Sequence, residues 1–368
     1  MKKLLAILLA GVMVMSLLTA CGDKTQETKA PETKAETTAE SPKETAEETT
    51  AESQADAMLS QVQALMEEQL GDLPEEGKNE KIGVLIISLT NQFWVNMKDC
   101  YEAAAKELGV TVDVQTGTTE GDTQSQLDAL MTMATMDYDV IIVSPIDGTN
   151  LIPGIVKCNE AGIPVINLGP GVDTEALEAA GGHLDAKITV KFEEQGKTVA
   201  EDMVSRLPDG GQVAILEGLS GAGQSTGRTK GAADVFNSTE GIELVASQPC
   251  DWDATLAYDA TKDILQANPE LKGIFACNDV MALAAVEALQ AEGRTDVMVY
   301  GVDYTDDAKA AIKAGTMTGS MTYSSVIYTK AALLMGMKLA QGGSYEEPLY
   351  LPLTLVNVDN VKDFEGWK

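Results

Sequence analysis

Aromatic and polar side chains follow the predicted strands of this 368-residue sequence. Trp94 and Trp252, two of the three tryptophans, lie there together with asparagines, aspartates and Arg228. Aromatic faces pack against the C–H faces of a pyranose or furanose ring, while carboxylate, carboxamide and guanidinium groups bond its hydroxyls in fixed directions. An anionic ligand would need more cations than Arg228, and a dinucleotide would need a phosphate-binding loop. These side chains therefore favour a carbohydrate ligand.

The elements that position these residues are strands and helices that alternate from residue 81 onward. The predicted strands are 81–88, 110–116, 140–145, 164–168, 213–217, 243–249, 273–277, 297–302 and 317–323. Helical periodicity separates them, as in 93–108 and 127–136, and such alternation is typical of parallel sheets with right-handed crossovers. The strands exceed what one twisted sheet holds, so the sequence predicts an α/β fold of two doubly wound parallel-sheet lobes. Ligands of such folds bind outside the carboxyl ends of strands, where the polar side chains fall.

Charge and composition exclude several classes of protein. The 57 Asp and Glu against 26 Lys and Arg give a formal charge of −31, which opposes binding to the phosphates of nucleic acids. His183 is the single histidine, and no Cys-x-x-Cys pair occurs, so zinc sites and histidine-dependent catalytic groups lack their parts. We expect no metal, no cofactor and no nucleic-acid partner.

The first residues are typical of export. Lys2 and Lys3 precede an apolar run from residue 4 to 18, which is too short and too early for a membrane span. Leu18-Thr19-Ala20-Cys21 resembles the lipobox of bacterial lipoproteins, which implies a signal peptide over 1–20 and a lipid on Cys21. The alternative is a plain secretory peptide with an incidental cysteine.

Two further segments precede the alternating region. Residues 22–56 contain no Val, Ile, Leu, Met or aromatic residue, which predicts that 21–56 is a disordered, lipidated tether. Within 57–80 we predict a peripheral amphipathic helix over 58–70. Four further cysteines, Cys100, Cys158, Cys250 and Cys277, could form two bridges in three connectivities, but a chain of this length does not need them. We therefore favour buried free thiols.

Residues 81 to about 360 resemble the ribose-type periplasmic sugar-binding proteins, the soluble receptors of ABC sugar importers. The resemblance is carried by residues 88–94, 246–253, 275–283 and 296–303. It implies a chain that crosses three times between two lobes and a hinge that closes them over a sugar. The implied N-terminal lobe is 81–190 plus 324–350, and the implied C-terminal lobe is 191–323 plus 351–368.

The resemblance also implies a set of ligand-binding residues. The first lobe would contribute Asn91, Phe93 and Trp94, the second lobe Arg228, Trp252, Asn278 and Asp303, and the hinge Tyr323.

Each of these assignments has a plainer alternative. Phe93 and the two tryptophans could belong to the core, Asn91 and Asp303 could cap the helices that follow them, and Arg228 could be a surface charge. At Asn278-Asp279 we expect Asp279 to be the helix cap and Asn278 the ligand contact.

The sequence departs from the ribose receptors at three places. Gly169-Pro170 stands where that family has an Asp-Arg pair, so two hydroxyl contacts are missing. Tyr323 replaces the family's hinge glutamine. An insertion over 171–185, which includes His183, could supply a substitute group or could be an ordinary surface loop. These departures argue against ribose itself and leave another monosaccharide, a cyclitol or another small polyol open.

The resulting hypothesis is a monomeric, extracytoplasmic substrate-binding lipoprotein of an ABC importer, without enzymatic activity. Its partners would be a small sugar, a membrane permease and the membrane itself through the lipid. A receptor that feeds a membrane sensor kinase or a chemoreceptor would share every site residue. A glycosidase would need paired carboxylates, which Asp251, Asp253 and Asp303 leave formally possible. A sugar-responsive repressor is disfavoured by the export signal and the negative charge.

The Gly-rich stretch 218–227 follows a predicted strand, which is also the position of nucleotide-binding loops. Thr226 stands where the third glycine of the dinucleotide fingerprint belongs. A tight turn is therefore the favoured interpretation.

Overall fold

The structure is a computed structural model that describes residues 48–365 and 367, apart from 73, 75 and 76. The predicted signal peptide, Cys21 and the tether up to residue 47 lie outside the described residues.

Strands and helices alternate along the described chain. The strands are β1 Lys81–Ile86, β2 Thr111–Thr116, β3 Val140–Val143, β4 Val165–Leu168, β5 Ala186–Thr189, β6 Gly211–Glu217, β7 Ile242–Pro249, β8 Leu271–Ala276, β9 Met298–Val302, β10 Gly319–Thr322, β11 Leu349–Tyr350 and β12 Thr354–Asn357. The helices are α1 Glu48–Leu70, α2 Gln92–Leu108, α3 Thr123–Met133, α4 Ile152–Glu160, α5 Thr174–Ala179, α6 Phe192–Ser205, α7 Gly223–Ser238, α8 Ala254–Ala267, α9 Asp279–Ala291, α10 Asp306–Ala314 and α11 Ser325–Ala340.

The strands form two six-stranded sheets, which confirms the predicted α/β fold of two lobes. The first sheet has the order β11-β5-β4-β3-β1-β2 and is parallel throughout. The second has the order β12-β10-β9-β8-β6-β7, in which only the β10–β12 pair is antiparallel. Strands such as β3 are buried along their whole length, as expected of parallel strands with helices on both faces.

The chain passes three times between the sheets. The first passage follows β5, the second joins β10 to α11, and the third joins β11 to β12. In both sheets the order of the strands reverses beside the first strand of the lobe, and this is where doubly wound folds bind ligands.

Helix α1 packs on the outside of this body. Val62, Met66 and Leu70 recur every four residues and form its buried stripe. Gln69 fixes the helix to β11, because its Nε2 donates to the carbonyl of Tyr350 at 3.0 Å and its Oε1 accepts from the Tyr350 N–H at 2.9 Å. The helix also contacts α11 and the 3₁₀ turn Val361–Phe364, which packs on β12, so it touches both lobes.

The start of α1 differs from the sequence prediction. The helix begins at Glu48, so residues 48–56, which we predicted as the end of the tether, are helical. The prediction was based on the lack of apolar residues, which rules out a buried core but not a helix. Four of these nine residues are Ala or Glu and one is Gln, and all three residue types are good helix formers.

The cysteines confirm the expectation of buried thiols outside disulfides. Cys100 and Cys158 lie in helices, Cys250 and Cys277 directly follow β7 and β8, and all four are buried and form no disulfide. Within the described residues, no helix combines the length and apolar character needed to cross a bilayer. The same residues contain no cluster of His, Cys, Asp and Glu that could hold a metal ion.

Candidate ligand-binding site

A cavity of about 460 Å³ lies between the two lobes, at the carboxyl ends of the strands. This volume includes space that is open to solvent. All eight residues predicted to bind ligand line it, namely Asn91, Phe93, Trp94, Arg228, Trp252, Asn278, Asp303 and Tyr323. Residues up to 232 positions apart in the sequence, as Asn91 and Tyr323 are, therefore meet in one place, since each follows a parallel strand or lies on the helix after it.

The first lobe contributes the N-terminus of α2. Asn91 caps this helix, because its Oδ1 accepts from the N–H of Phe93 at 3.0 Å. The capping alternative is thus correct for Asn91, and the residue lines the cavity as well. Phe93 and Trp94 stand edge to face with ring centroids 4.9 Å apart, so the first turn of α2 presents an aromatic corner.

Glu120 lines the cavity and was missed by the sequence analysis. It lies in the turn between β2 and α3, where the Ser88 Oγ donates to its Oε1 at 2.6 Å. Burial raises the pKa of the Glu120 carboxyl, and hydrogen bonds from Ser88, Asn91 and Trp94 oppose this rise. The signal that could have identified Glu120 is its position after a predicted strand, which it shares with the other site residues.

Arg228 is the basic residue of the cavity wall. It lies within helix α7, as the sixth residue of the helix. Its Nε donates to the Oε1 of Gln195 at 2.8 Å, its Nη1 to the carbonyl of Cys277 at 2.7 Å, and its Nη2 lies 4.0 Å from the Oδ1 of Asp303. The surface-charge alternative is wrong for Arg228, which is only 5% exposed.

Glycines bring the helix that carries Arg228 against α6. A Cβ at Gly196 would lie 1.9 Å from the carbonyl oxygen of Arg228, and one at Gly231 would lie 1.9 Å from that of Glu193. The two helix backbones therefore touch, which places Gln195 within hydrogen-bonding distance of the guanidinium. This close packing fixes the guanidinium before any ligand arrives.

Trp252 reaches the cavity from the turn after β7. Asp251 and Trp252 have φ angles of 50° and 66°, in the left-handed region that non-glycine residues rarely adopt. The indole lies over Gly218, where a Cβ would come within 1.9 Å of its Cη2. This contact gives the Gly-rich stretch a structural role, because Gly218 leaves room for the ring. Residues 218–222 form the turn between β6 and α7, as the turn interpretation predicted, whereas residues 223–227 are already the start of α7.

The cap of α9 is Asn278, and not Asp279 as we predicted, and Asn278 also lines the cavity. Asn278 caps α9, because its Oδ1 accepts from the N–H of Met281 at 3.0 Å. Its Nδ2 is buried and has no partner among the described residues, so it remains a donor toward the cavity. Asp279 accepts instead from the N–H of Thr305 at 2.7 Å and from the Oγ of Ser320 at 2.8 Å. Burial raises the pKa of Asp279 to about 7.

Asp303 occupies a strained position at the end of β9. Its φ is 114°, and its side chain is only 6% exposed. Burial raises the pKa of Asp303, Arg228 lowers it, and the charges of Asp279 and Glu120 raise it further. Asp303 is not the cap of the next helix, since Thr305 caps α10. Strain of this kind persists where the surrounding structure enforces it, as in binding sites.

Tyr323 lies where the chain passes from β10 to α11. Its ring contacts Phe93 at a centroid distance of 6.1 Å and Tyr328 at 5.3 Å. The Tyr328 hydroxyl donates to the carbonyl of Ile188 at 3.1 Å, close to the end of β5. The aromatic cluster therefore connects the two lobes beside the passages between them.

Gly169 and Pro170, which stand where the ribose receptors have an Asp-Arg pair, both line the cavity. His183 does not replace the missing side chains. Its side chain is 64% exposed and lies 3.6 Å from Asp185, outside the cavity. The insertion is thus a surface segment, and the hypothesis that it supplies a substitute group through His183 is wrong.

The two α/β lobes and the cavity between them define a two-lobed binding protein. The family model described as "Periplasmic binding protein domain" matches residues 82–344. The chain therefore belongs to the periplasmic binding protein family. This membership confirms the ribose-type resemblance and the expectation that the chain is not an enzyme.

Three relatives illustrate the similarity. The D-allose-binding periplasmic protein of Escherichia coli is 37% identical over 240 residues, which are 65% of this chain and 77% of the relative. An ABC transporter solute-binding protein from Actinobacillus succinogenes with bound D-allose is 31% identical, with a TM-score of 0.73 over 77% of this chain and 99% of its own. One from Bacillus halodurans with bound myo-inositol is 25% identical, with a TM-score of 0.71 over 79% and 99% of the two chains.

Proposed function

We propose that this chain is the extracytoplasmic substrate-binding lipoprotein of an ABC importer and binds a monosaccharide or small polyol between its lobes. The observation that carries the proposal is the composition of the cavity wall, which combines aromatic rings with a guanidinium, carboxylates and a free amide donor. Such a wall suits a ring with apolar faces and polar edges. The D-allose and myo-inositol bound to two relatives support the same class of ligand.

The binding cycle would use hinge motion and no covalent chemistry. A sugar would dock on one lobe, and rotation about the three passages would bring the groups of the other lobe to it. Asn91, Phe93 and Trp94 would act from the first lobe and Tyr323 at the hinge. Arg228, Trp252, Asn278 and Asp303 would act from the second lobe. The closed shape would be the form that a permease recognises.

Calorimetric titration tests the ligand class. We expect at least one sugar or cyclitol from a panel that includes D-allose, D-ribose and myo-inositol to bind. The variants Trp252→Ala and Asp303→Ala should lose binding while they retain the circular dichroism of the wild type. Asp259→Ala is the matched control, because Asp259 is exposed on α8 and does not line the cavity. If no member of the panel binds, the proposed ligand class is wrong.

The lipid anchor at Cys21 rests on the sequence alone. We expect Cys21→Ser to move the protein from the membrane fraction to the soluble extracytoplasmic fraction. If the protein partitions as before, Cys21 does not carry the anchor. We further propose that the chain is a monomer, that the lobes follow the boundaries given above and that the partner is a permease. Loss of sugar uptake on deletion of the gene would support the permease, whereas intact uptake with a lost transcriptional or chemotactic response would favour the sensory alternative.

A further inference from the structure

The cavity wall carries more carboxylates than cations. Among the residues that line it, Glu120 and Asp303 are acidic and Arg228 is basic. The guanidinium of Arg228 faces Asp303 and is further occupied by the Gln195 amide oxygen and the Cys277 carbonyl. One carboxylate is therefore left without a cationic partner in the wall.

Glu120 is that carboxylate. Its partners are the hydroxyl of Ser88, at 2.6 Å from Oε1, and the side chains of Asn91 and Trp94. All of these donors are neutral, so they orient the carboxylate without balancing its charge. Asp303 lies close enough on the opposite lobe for the charge of Glu120 to raise its pKa. The two carboxylates thus line the same cavity.

Other groups in the wall add to the excess of acceptors. The Oε1 of Gln224, which also lines the cavity, is buried and has no partner among the described residues. The rings of Phe93 and Trp94 also line the cavity, and Trp94 contacts Glu120 through its indole N–H. Glu120 is half-buried, and a charge that is partly removed from water is tolerated best when it is paired, so the ligand itself is the natural source of the missing positive charge.

We propose that the ligand is an amine-bearing sugar or cyclitol, and that Glu120 is the residue that selects its ammonium group. An ammonium carries three donors and no acceptor, which matches the carboxylate of Glu120 and the amide oxygen of Gln224 in the wall. The remaining hydroxyls would bond Arg228, Asp303 and the Nδ2 of Asn278. This inference rests on the proposed function, because it specifies the ligand of the same cavity.

The test compares ligands that differ in one group. The affinity of the full-length protein is measured by calorimetry at pH 7 for the pairs D-glucosamine and D-glucose, D-galactosamine and D-galactose, D-allosamine and D-allose, and scyllo-inosamine and scyllo-inositol. We expect at least one amine to bind about tenfold or more tightly than its hydroxyl partner. The hexosamine and inosamine pairs distinguish an amino sugar from an amino cyclitol.

Variants assign the preference to Glu120. Glu120→Gln should reduce the preference for the amine to about twofold or less, and Glu120→Asp, which retains the charge, should keep part of it. The matched control is Glu160→Gln, because Glu160 is an exposed residue of the first lobe outside the cavity. Circular dichroism verifies that each variant is folded.

A second measurement needs no variant. Raising the pH until the ligand amine loses its proton should abolish the preference, whereas the affinity for the hydroxyl partner should change little. A preference that persists at high pH, or persists in a folded Glu120→Gln variant, would overturn the assignment. If the hydroxyl member binds as tightly as the amine in every pair, the inference is wrong while the proposed function stands. If no member of any pair binds, both fail.

Discussion

Gly218→Ala tests how the cavity holds Trp252 without adding or removing a polar group. A Cβ at residue 218 would lie 1.9 Å from Cη2 and 2.1 Å from Cζ2 of the indole. Carbon atoms in contact lie about 3.5 to 4.0 Å apart, so the ring would have to move by about 1.5 Å. The ring is rigid and Trp252 is only 7% exposed, so the displacement must be absorbed by the turn after β7 or by the cavity.

The size of the effect follows from packing and stacking. Overpacking of a buried site destabilises a protein by about 1 to 3 kcal/mol. Loss of an aromatic contact with the ligand would remove about 0.5 to 1.5 kcal/mol, which corresponds to a decrease in affinity of about 2- to 12-fold. Urea denaturation followed by tryptophan fluorescence measures the first quantity, and calorimetry with the best sugar of the panel measures the second.

Gly223→Ala is the control from the same turn. Gly223 is exposed at the first position of α7, its φ is not in the left-handed region, and no atom lies within 4 Å of its Cβ position. We expect this variant to bind normally and to gain up to about 1 kcal/mol in the free energy of unfolding. In a Trp252→Ala background Gly218→Ala should become nearly neutral. Wild-type stability and affinity in Gly218→Ala would refute the contact between Gly218 and the ring.

Three further predictions concern strain, titration and thiols. Asp303→Gly should abolish sugar binding. Its free energy of unfolding, measured with urea, should nevertheless exceed that of Asp303→Ala by about 1 to 3 kcal/mol, because only glycine adopts a φ of 114° without strain. Equal free energies of unfolding in the two variants would contradict the strain. Burial raises the pKa of Asp279 to about 7, from about 3.9 in the unfolded chain, so the folded state holds the proton more tightly and stability should fall as the pH rises from about 4 to 7. The melting temperature should decrease less between pH 4.5 and pH 7.5 in Asp279→Asn than in the wild type. An equal decrease in both proteins would show that Asp279 is not the source of the pH dependence. Ellman's reagent should label the native thiols slowly and the urea-unfolded ones fully, because burial raises the thiol pKa to about 11 in Cys158 and Cys277 and to about 12 in Cys250; rapid native labelling would contradict their burial.

The two-lobed architecture could be predicted because parallel strands leave a strong local pattern. A strand such as β3, with the sequence Val-Ile-Ile-Val, is buried on both faces and reads as a continuous apolar run. The strands that were missed are β5, β11 and β12, which lie at or beside sheet edges, where burial is incomplete and the local pattern is correspondingly weak. Residues 48–56 were assigned wrongly because a helix can form from intrinsic propensity without apolar residues.

The residues of the cavity wall could be predicted as a set, but their individual roles could not. Each of the eight follows a strand or lies just beyond it, so topology alone brings them together. The wrong assignment of the α9 cap to Asp279 could not be avoided, because Asp279 is engaged by hydrogen bonds from Thr305 and Ser320, which are distant in sequence. Glu120 could have been included by applying the same rule after β2. The exclusion of His183 required the path of the whole insertion.

The glycine contacts between α6 and α7 also bear on how the second lobe unfolds. With a Cβ absent at Gly196, Gly227 and Gly231, the helix backbones touch directly, and neither helix can separate by small rearrangements of side chains. The pair should therefore open as one cooperative unit, and its amide protons should exchange with solvent among the slowest of the lobe. Arg228 and Gln195 sit inside that unit. Local unfolding elsewhere in the lobe can then proceed while the guanidinium keeps its orientation.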